Sequence, residues 1–372
     1  MAVYKIYPTK DSSLYTEYPS ANTGIDEIIE CSTYIRDGNS QTSRYLIQFS
    51  DSEINDVVDN KISGSSFSAY LKNYDALVTG LNSDSTIYFY PTSGSWDMGT
   101  GRFENSPQTV NGVSWGYQDY SGSTAWPTSS FGDYATASFQ SDLPGGGVWY
   151  TGSTLGLNVV HTQSFNYSDP TDIKVDVTNT VLTWHSGGFD NNGFLVKQKD
   201  NSEFSSDSAK QTTLKFFSID THTIYPPQLE FRWDDYTFST GSSSNSVLST
   251  PQSFMSVYNN EEVYYSESIA RFRISAIPKN PTRTFTTSSL YTTNHYLPGD
   301  VSLYAVKDTM TNDYVIDFDS SYTKISADET SSYFDIYMSG LEPERYYTIL
   351  VKTVIDGTTK IFDEDIRFKV SN

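Results

Sequence analysis

Three observations make this an all-β chain. Short alternating apolar segments recur along its length, with Gly, Asn and Pro punctuating them. Aromatic residues make up 15% of the 372 positions, including 29 Tyr, which suits sheet surfaces. No segment repeats at a fixed period, which argues against a solenoid or propeller. The expected architecture is an N-terminal jelly roll or β-sandwich followed by a smaller immunoglobulin-like β-sandwich. The length leaves room for two or three domains, each with its own core.

Residues 1–9 alternate through Val3, Tyr4, Ile6 and Tyr7 and then meet Pro8, as an edge strand does. Turn chemistry fills 18–24, ahead of the apolar pair Ile28-Ile29. A strand is expected at 44–49, with Tyr45, Leu46 and Ile47 buried on opposite faces. A short helix follows at 54–62, with Ile54, Val57 and Val58 on one side. Strands are expected next at 66–74 and 85–91. From 91 to 152 the periodicity fails and charges thin out. Trp96, Trp115, Trp126 and Trp149 fall there, four of the six tryptophans. So long a patternless stretch predicts an elaborated insertion with a job of its own. Strands return at 164–167, 173–177, 194–197, 213–217 and 229–233.

The stretch 173–197 organises this half. Ile173, Val175 and Val177 alternate as a half-buried strand. Thr178 can cap a helical turn that sets Val181 and Trp184 on one side. Gly187-Gly188 ends the turn, Asp190 to Gly193 reverses the chain, and Phe194 starts a new strand. The run DVTNTVLTWHSGGFDNNGFLV (Asp176 to Val196) resembles the signature of DNRLRE-type β-sandwich domains, found in bacterial surface proteins and tailed-phage structural proteins. KDSSLYTEYPSANTGIDEIIE (from Lys10) and SRYLIQFSDSEI (from Ser43) fit the same family. WDMGTGRFENSPQTVNGVSW (from Trp96), FFSIDTHTIYPPQLEFRWDD (from Phe216) and GLEPERYYTILVK (from Gly340) resemble virion proteins of T4-like marine phages. The resemblance implies a DNRLRE-like sandwich inside a phage particle; it does not specify a position there.

Residues 239–253, almost all small or polar, are the expected linker. The expected domains are therefore 1–238, with 91–152 as its insertion, and 254–372. Strands in the second are expected at 262–265, 270–276, 301–306, 314–318, 333–338, 346–354 and 366–370, with a hinge at 277–281.

The formal net charge of -21 argues against nucleic-acid binding, which needs a basic surface. Both halves are acidic, so the charge is no tail; it keeps an aromatic-rich chain soluble before assembly. The single cysteine, Cys31, excludes an internal disulfide framework and a cysteine zinc site. No apolar run approaches membrane-spanning length, and the first residues lack the apolar core of a signal peptide. Production in a host cytoplasm, no membrane partner and a final location in the virion are the expectations.

Gly112-Val113-Ser114-Trp115-Gly116 fits the spacing of a nucleophile elbow, but no helical pattern follows it, so a turn is expected. The four histidines share no metal-ligand spacing. Asp190 to Gly193 and Asp234-Asp235 could offer oxygens to calcium, yet read as a turn and a strand end. No cofactor and no metal are expected. Trp96, Trp115, Trp126 and Trp149 have three readings: stacking on sugar, the centre of a protein interface, or core filling. The expectation is a non-enzymatic virion component that contacts other virion proteins and copies of itself. Partner contact is expected through at least two of those rings. The rival is adhesion to host surface glycan through the same loops.

Overall fold

The computed structural model describes residues 2–64, 66–81, 85–127, 134–136, 145–151, 158–166, 168–281 and 294–372. Residues 128–133, 137–144 and 152 of the expected insertion, and 167 of the expected strand 164–167, lie outside these. The described chain is all-β, its strands in several sheets joined by a few short helices. It divides into two units: residues 6–61 with 68–230, and residues 1–5 and 62–67 with 231–372. Among the described residues no helix is long and apolar enough to cross a membrane.

The first unit is built on an eight-stranded sheet. In order its strands are His161–Phe165, Ser85–Pro91, Phe194–Gln198, Asn39–Phe49, Ile28–Arg36, Thr212–Phe217 and Asp75–Thr79, and Pro8–Tyr15 also pairs with Asn39–Phe49. Asn39–Phe49 is buried on both faces: Tyr45 and Ile47 alternate with Arg44 and Leu46, all without exposed surface. The helix expected from 54 begins earlier, at Asp51, because the Ser50 hydroxyl accepts from the Glu53 amide.

The organising stretch folds largely as its pattern dictates. Ile173–Asp176 pairs antiparallel with Phe67–Asn73, and the helix Thr178–His185 buries Val181 and Trp184. The cap differs from expectation. Thr178 is the first helical residue, its hydroxyl accepts from the Ala69 amide and donates to Asp176 Oδ1, and Asp176 Oδ1 in turn accepts from the Thr178 amide, while the N-cap residue Val177 offers no side-chain bond. Gly187 ends it with φ +71°, and Gly188 donates to the Thr183 carbonyl. In the next turn Asn191 Nδ2 donates to the Phe49 carbonyl, and Oδ1 accepts from Gly193. Gly193 has φ +84° and lies so close to Ile47 that a β-carbon would sit 2.2 Å from its carbonyl oxygen.

In the second unit two sheets share one core. One orders Val263–Tyr265, Thr358–Ser371, Tyr346–Ile355, Leu303–Asp308 and Tyr314–Ile316. The other orders Ser253–Val257, Ile269–Pro278, Ser332–Tyr337 and Ser326–Ala327. Phe272 and Phe334 of one meet Tyr304 and Phe368 of the other, with the Tyr304 and Phe334 rings stacked at 4.4 Å. Residues 239–253, expected as a linker, belong to this unit. Leu248 is buried in its core, and the Leu248 amide donates to the Tyr296 carbonyl at 2.7 Å. The first residues belong here as well: Val3 joins the same core and Lys5 Nζ donates to the Val315 carbonyl.

Trp184 is nearly fully buried, with its ring 4.8 Å from that of Phe194. Trp184→Ala should cost on the order of 3–5 kcal/mol, the usual range for truncating a buried aromatic ring. Chemical denaturation followed by circular dichroism measures this; an unchanged midpoint would contradict the assignment.

Candidate functional site

The four tryptophans of the insertion are core residues, each at most 5% exposed. They pack with Leu14, Leu46, Val113, Val148 and Leu195 in one cluster. Trp96 Nε1 donates to the Asn192 carbonyl and Trp126 Nε1 to the Ser114 carbonyl, both at 2.9 Å. The expected contact of these rings with a partner or a sugar is thereby corrected. Their apolar area is spent inside the chain, and no ring face is free to stack on a ligand.

Charge explains why tryptophan is needed there. Arg44 and Lys197 have no exposed surface, and both reach Glu203. Arg44 binds it in bidentate fashion, through Nε at 2.8 Å and Nη2 at 2.7 Å, while Nη1 donates to the Gly146 carbonyl at 2.7 Å. Lys197 Nζ adds a bond to Glu203 at 2.7 Å and reaches Asp200. The guanidinium lies 5.0 Å from the Trp115 ring centre and 5.4 Å from that of Trp149, and the Lys197 ammonium 5.5 Å from Trp149. A β-carbon on Gly146 would sit 2.7 Å from the Trp115 ring, which requires glycine. Asn22 fixes the other end of the insertion. Its amide donates to the Met98 and Val113 carbonyls at 2.7 Å, and its Oδ1 accepts from Gly24 and Gly101.

Ser114 is fully buried, and its amide donates to the Tyr117 carbonyl within a turn, so no strand-to-helix elbow presents it. The histidines stay apart. His161 bonds Thr180, and burial pushes it down to about 4; His295 bonds Ser246, and His185 and His222 each approach a carboxylate. Among the described residues no group of three or more His, Cys, Asp or Glu is placed to hold a metal ion.

The second unit presents a different surface. Val263 and Tyr346 both pair with Lys369, so the three side chains form one row across adjacent strands on the outer face. Tyr265 follows on the same edge strand. The Thr309 amide donates to the Tyr346 carbonyl, which brings Met310 beside the row. Met310 is 83% exposed, yet its turn is ordered: its amide and that of Thr311 donate to Asp308 Oδ1. Burial pushes the Asp308 carboxyl up, but Arg345 and those amides together hold it below its ordinary value. The outer face of the other sheet pairs its charges, while Phe254 and Ile269 stand exposed on it. Arg271 pairs with Asp335 and Arg273 with Asp328, and both guanidinium groups lie near the Tyr333 ring.

Neither a scan against protein-family models nor a search of curated proteins finds a match to this chain.

Asp11 is fully buried in the first unit. Its Oδ2 accepts from the Ile219 amide at 2.7 Å, while Oδ1 has no partner. Burial, with Asp220 and Asp26 nearby, pushes its carboxyl up to about 8 from an ordinary 3.8. The folded chain therefore holds a proton that the unfolded chain has released between those values. Its stabilising contribution is complete below about pH 4 and is lost as pH rises through about 8. Asp11→Asn should gain stability relative to the parent as pH climbs from 5 to 8 in urea titrations. A pH-independent difference would show that Asp11 is ionised in the fold.

Proposed function

We propose that this chain is a non-enzymatic structural component of a tailed-phage virion, working through protein–protein contacts carried by its second unit. One observation supports this best. Among the described residues, eight large apolar side chains of the second unit are at least half exposed, against Leu77 alone in the first. Several of them, Val263, Tyr265, Met310 and Tyr346, adjoin on one ordered face. Scattered exposed apolar residues need no explanation, but a contiguous group marks a contact surface. The sequence resemblance supplies the virion. The partners in this reading are other virion proteins and further copies of the chain.

The finer fold belongs to the same reading. The eight-stranded sheet around Asn39–Phe49, with the 173–197 module behind it, is read as a DNRLRE-like jelly roll. The paired sheets of five and four strands around one aromatic core are read as immunoglobulin-like. Host-glycan adhesion through the tryptophans loses its carrier, because those rings are buried.

Electron microscopy of particles from the encoding phage tests the proposal. The expected result is density for this chain at a repeated, symmetry-related position, with Val263, Tyr265 and Tyr346 covered by a neighbour. A Tyr265→Asp variant should fold and yet fail to enter particles. A chain absent from purified particles, or present with that face open to solvent, would overturn it.

A further inference from the structure

Beside the exposed row the second unit has a groove of about 650 Å³, running between the Met310 turn and residues 364–368. Its walls are mixed in a specific way. Val257, Ile366 and Phe368 supply apolar surface from below, and Met310 and Tyr346 stand at the mouth. Glu262, Glu364 and Asp365 supply three carboxylates against one guanidinium, that of Arg367, whose Nε is held by Asp365 at 2.6 Å.

The backbone is arranged to put these acids there. In the hairpin of Tyr346–Ile355 with Thr358–Ser371, Ile349 faces Ile366 while Val351 already faces Phe362. Residues 363–365 thus stand opposite Leu350 alone, a bulge that turns acidic side chains out of the ladder. Asp365 has φ +56° and Glu262 φ +66°, a conformation that is unfavourable for residues other than glycine. The ordered neighbours hold it: Asn260 Nδ2 donates to the Arg367 carbonyl and the Lys369 amide to the Glu262 carbonyl, both at 2.7 Å.

We propose that this groove receives a lysine or arginine side chain from an extended basic segment of a partner protein. An alkyl stem needs apolar walls, which Met310 and Tyr346 offer, and methionine adapts its shape to what it meets. The cationic head needs carboxylates, and Glu262 and Glu364 stand exposed beside those walls, Glu364 also within the field of Lys360. The Tyr346 ring already has one ammonium near it, that of Lys369 at 6.0 Å. Charge also selects the occupant. A second copy of a chain carrying -21 would bring like charge to an acidic groove, and an anionic glycan would meet the same repulsion. The inference rests on the reading that the second unit carries the contacts, and gives it a partner chemistry.

The test uses the full chain and a capped peptide of sequence Gly-Leu-Lys-Leu-Gly, with norleucine replacing lysine in the control, at low and at physiological salt. Binding is followed by calorimetry and by amide shifts. The lysine peptide should bind saturably, shifting the amides of Met310, Tyr346 and Glu364, and the control should bind at least about tenfold more weakly. Glu262→Gln with Glu364→Gln should weaken the lysine peptide about tenfold, and Tyr346→Ala should weaken both peptides. No saturable binding, or equal binding of the control or by the double variant, would overturn the inference. So would concentration-dependent dimerisation of the parent that Met310→Asp abolishes, since that assigns the groove to a second copy. If the peptide fails while Tyr265→Asp still blocks incorporation into particles, the groove is rejected and the assembly reading stands.

Discussion

The first unit depends on one buried ionic cluster. Arg44, Lys197 and Glu203 lie entirely within the protein, where removing charges from water costs several kcal/mol per ion unless every hydrogen-bonding group finds a partner. The structure gives every nitrogen of the two cations at least one acceptor. Glu203 takes both nitrogens of the guanidinium fork and the ammonium, and Gly146 offers its carbonyl to what remains. Trp115 and Trp149 then close over the cations with ring faces in place of water. The described part of the insertion is thus a lid on charges that belong to the central strands. Among its described residues Trp115, Gly146 and Trp149 are placed against those charges, and only two short two-stranded sheets form, Tyr117–Asp119 with Thr124–Ala125 and Tyr134–Thr136 with Val148–Tyr150.

Much of the fold was legible from alternation. The strands at 173–176 and 194–198 and the helix between them follow directly from the spacing of Ile173, Val175, Val181, Trp184 and Phe194. The strand Ile28–Arg36 was nearly invisible because Ser32 and Thr33 are buried polar residues. Ser43 Oγ accepts from the Ser32 amide, and the Thr33 and Thr42 hydroxyls bond one another, so a polar sequence forms an interior strand. Pro8–Tyr15 hides for the same reason, carrying Asp11, Ser12 and Ser13 into the interior. Residues 239–253 have the composition of a linker, yet Leu248 is enough to seat them on a core.

The site was less legible than the fold. Tryptophan in a low-charge stretch has the same appearance whether it fills a core, meets a partner or stacks on sugar. The deciding signal was elsewhere, in two charges that continue an apolar face: Arg44 stands two residues from Leu46, and Lys197 two from Leu195. A cation at such a position demands a buried anion and a cover, and Glu203 and the tryptophans are those. Most of the strongly exposed apolar side chains among the described residues lie in the other unit. Its face around Val263, Tyr346 and Met310 emerges only from strand register and turn bonding, which no single segment encodes.

The sealing of the buried charges beneath the tryptophans is tested most directly by native-state hydrogen exchange, read by mass spectrometry on the parent and on Glu203→Gln. If the insertion is a lid on the buried charges, amides at 96–118 and 145–149 in the parent exchange as slowly as those of the strand Asn39–Phe49. In Glu203→Gln they lose that protection before the rest of the unit does, while the second unit is unchanged. Fast exchange of the insertion in the parent, with no response to Glu203→Gln, would contradict the account and make the tryptophan-bearing loops a mobile surface.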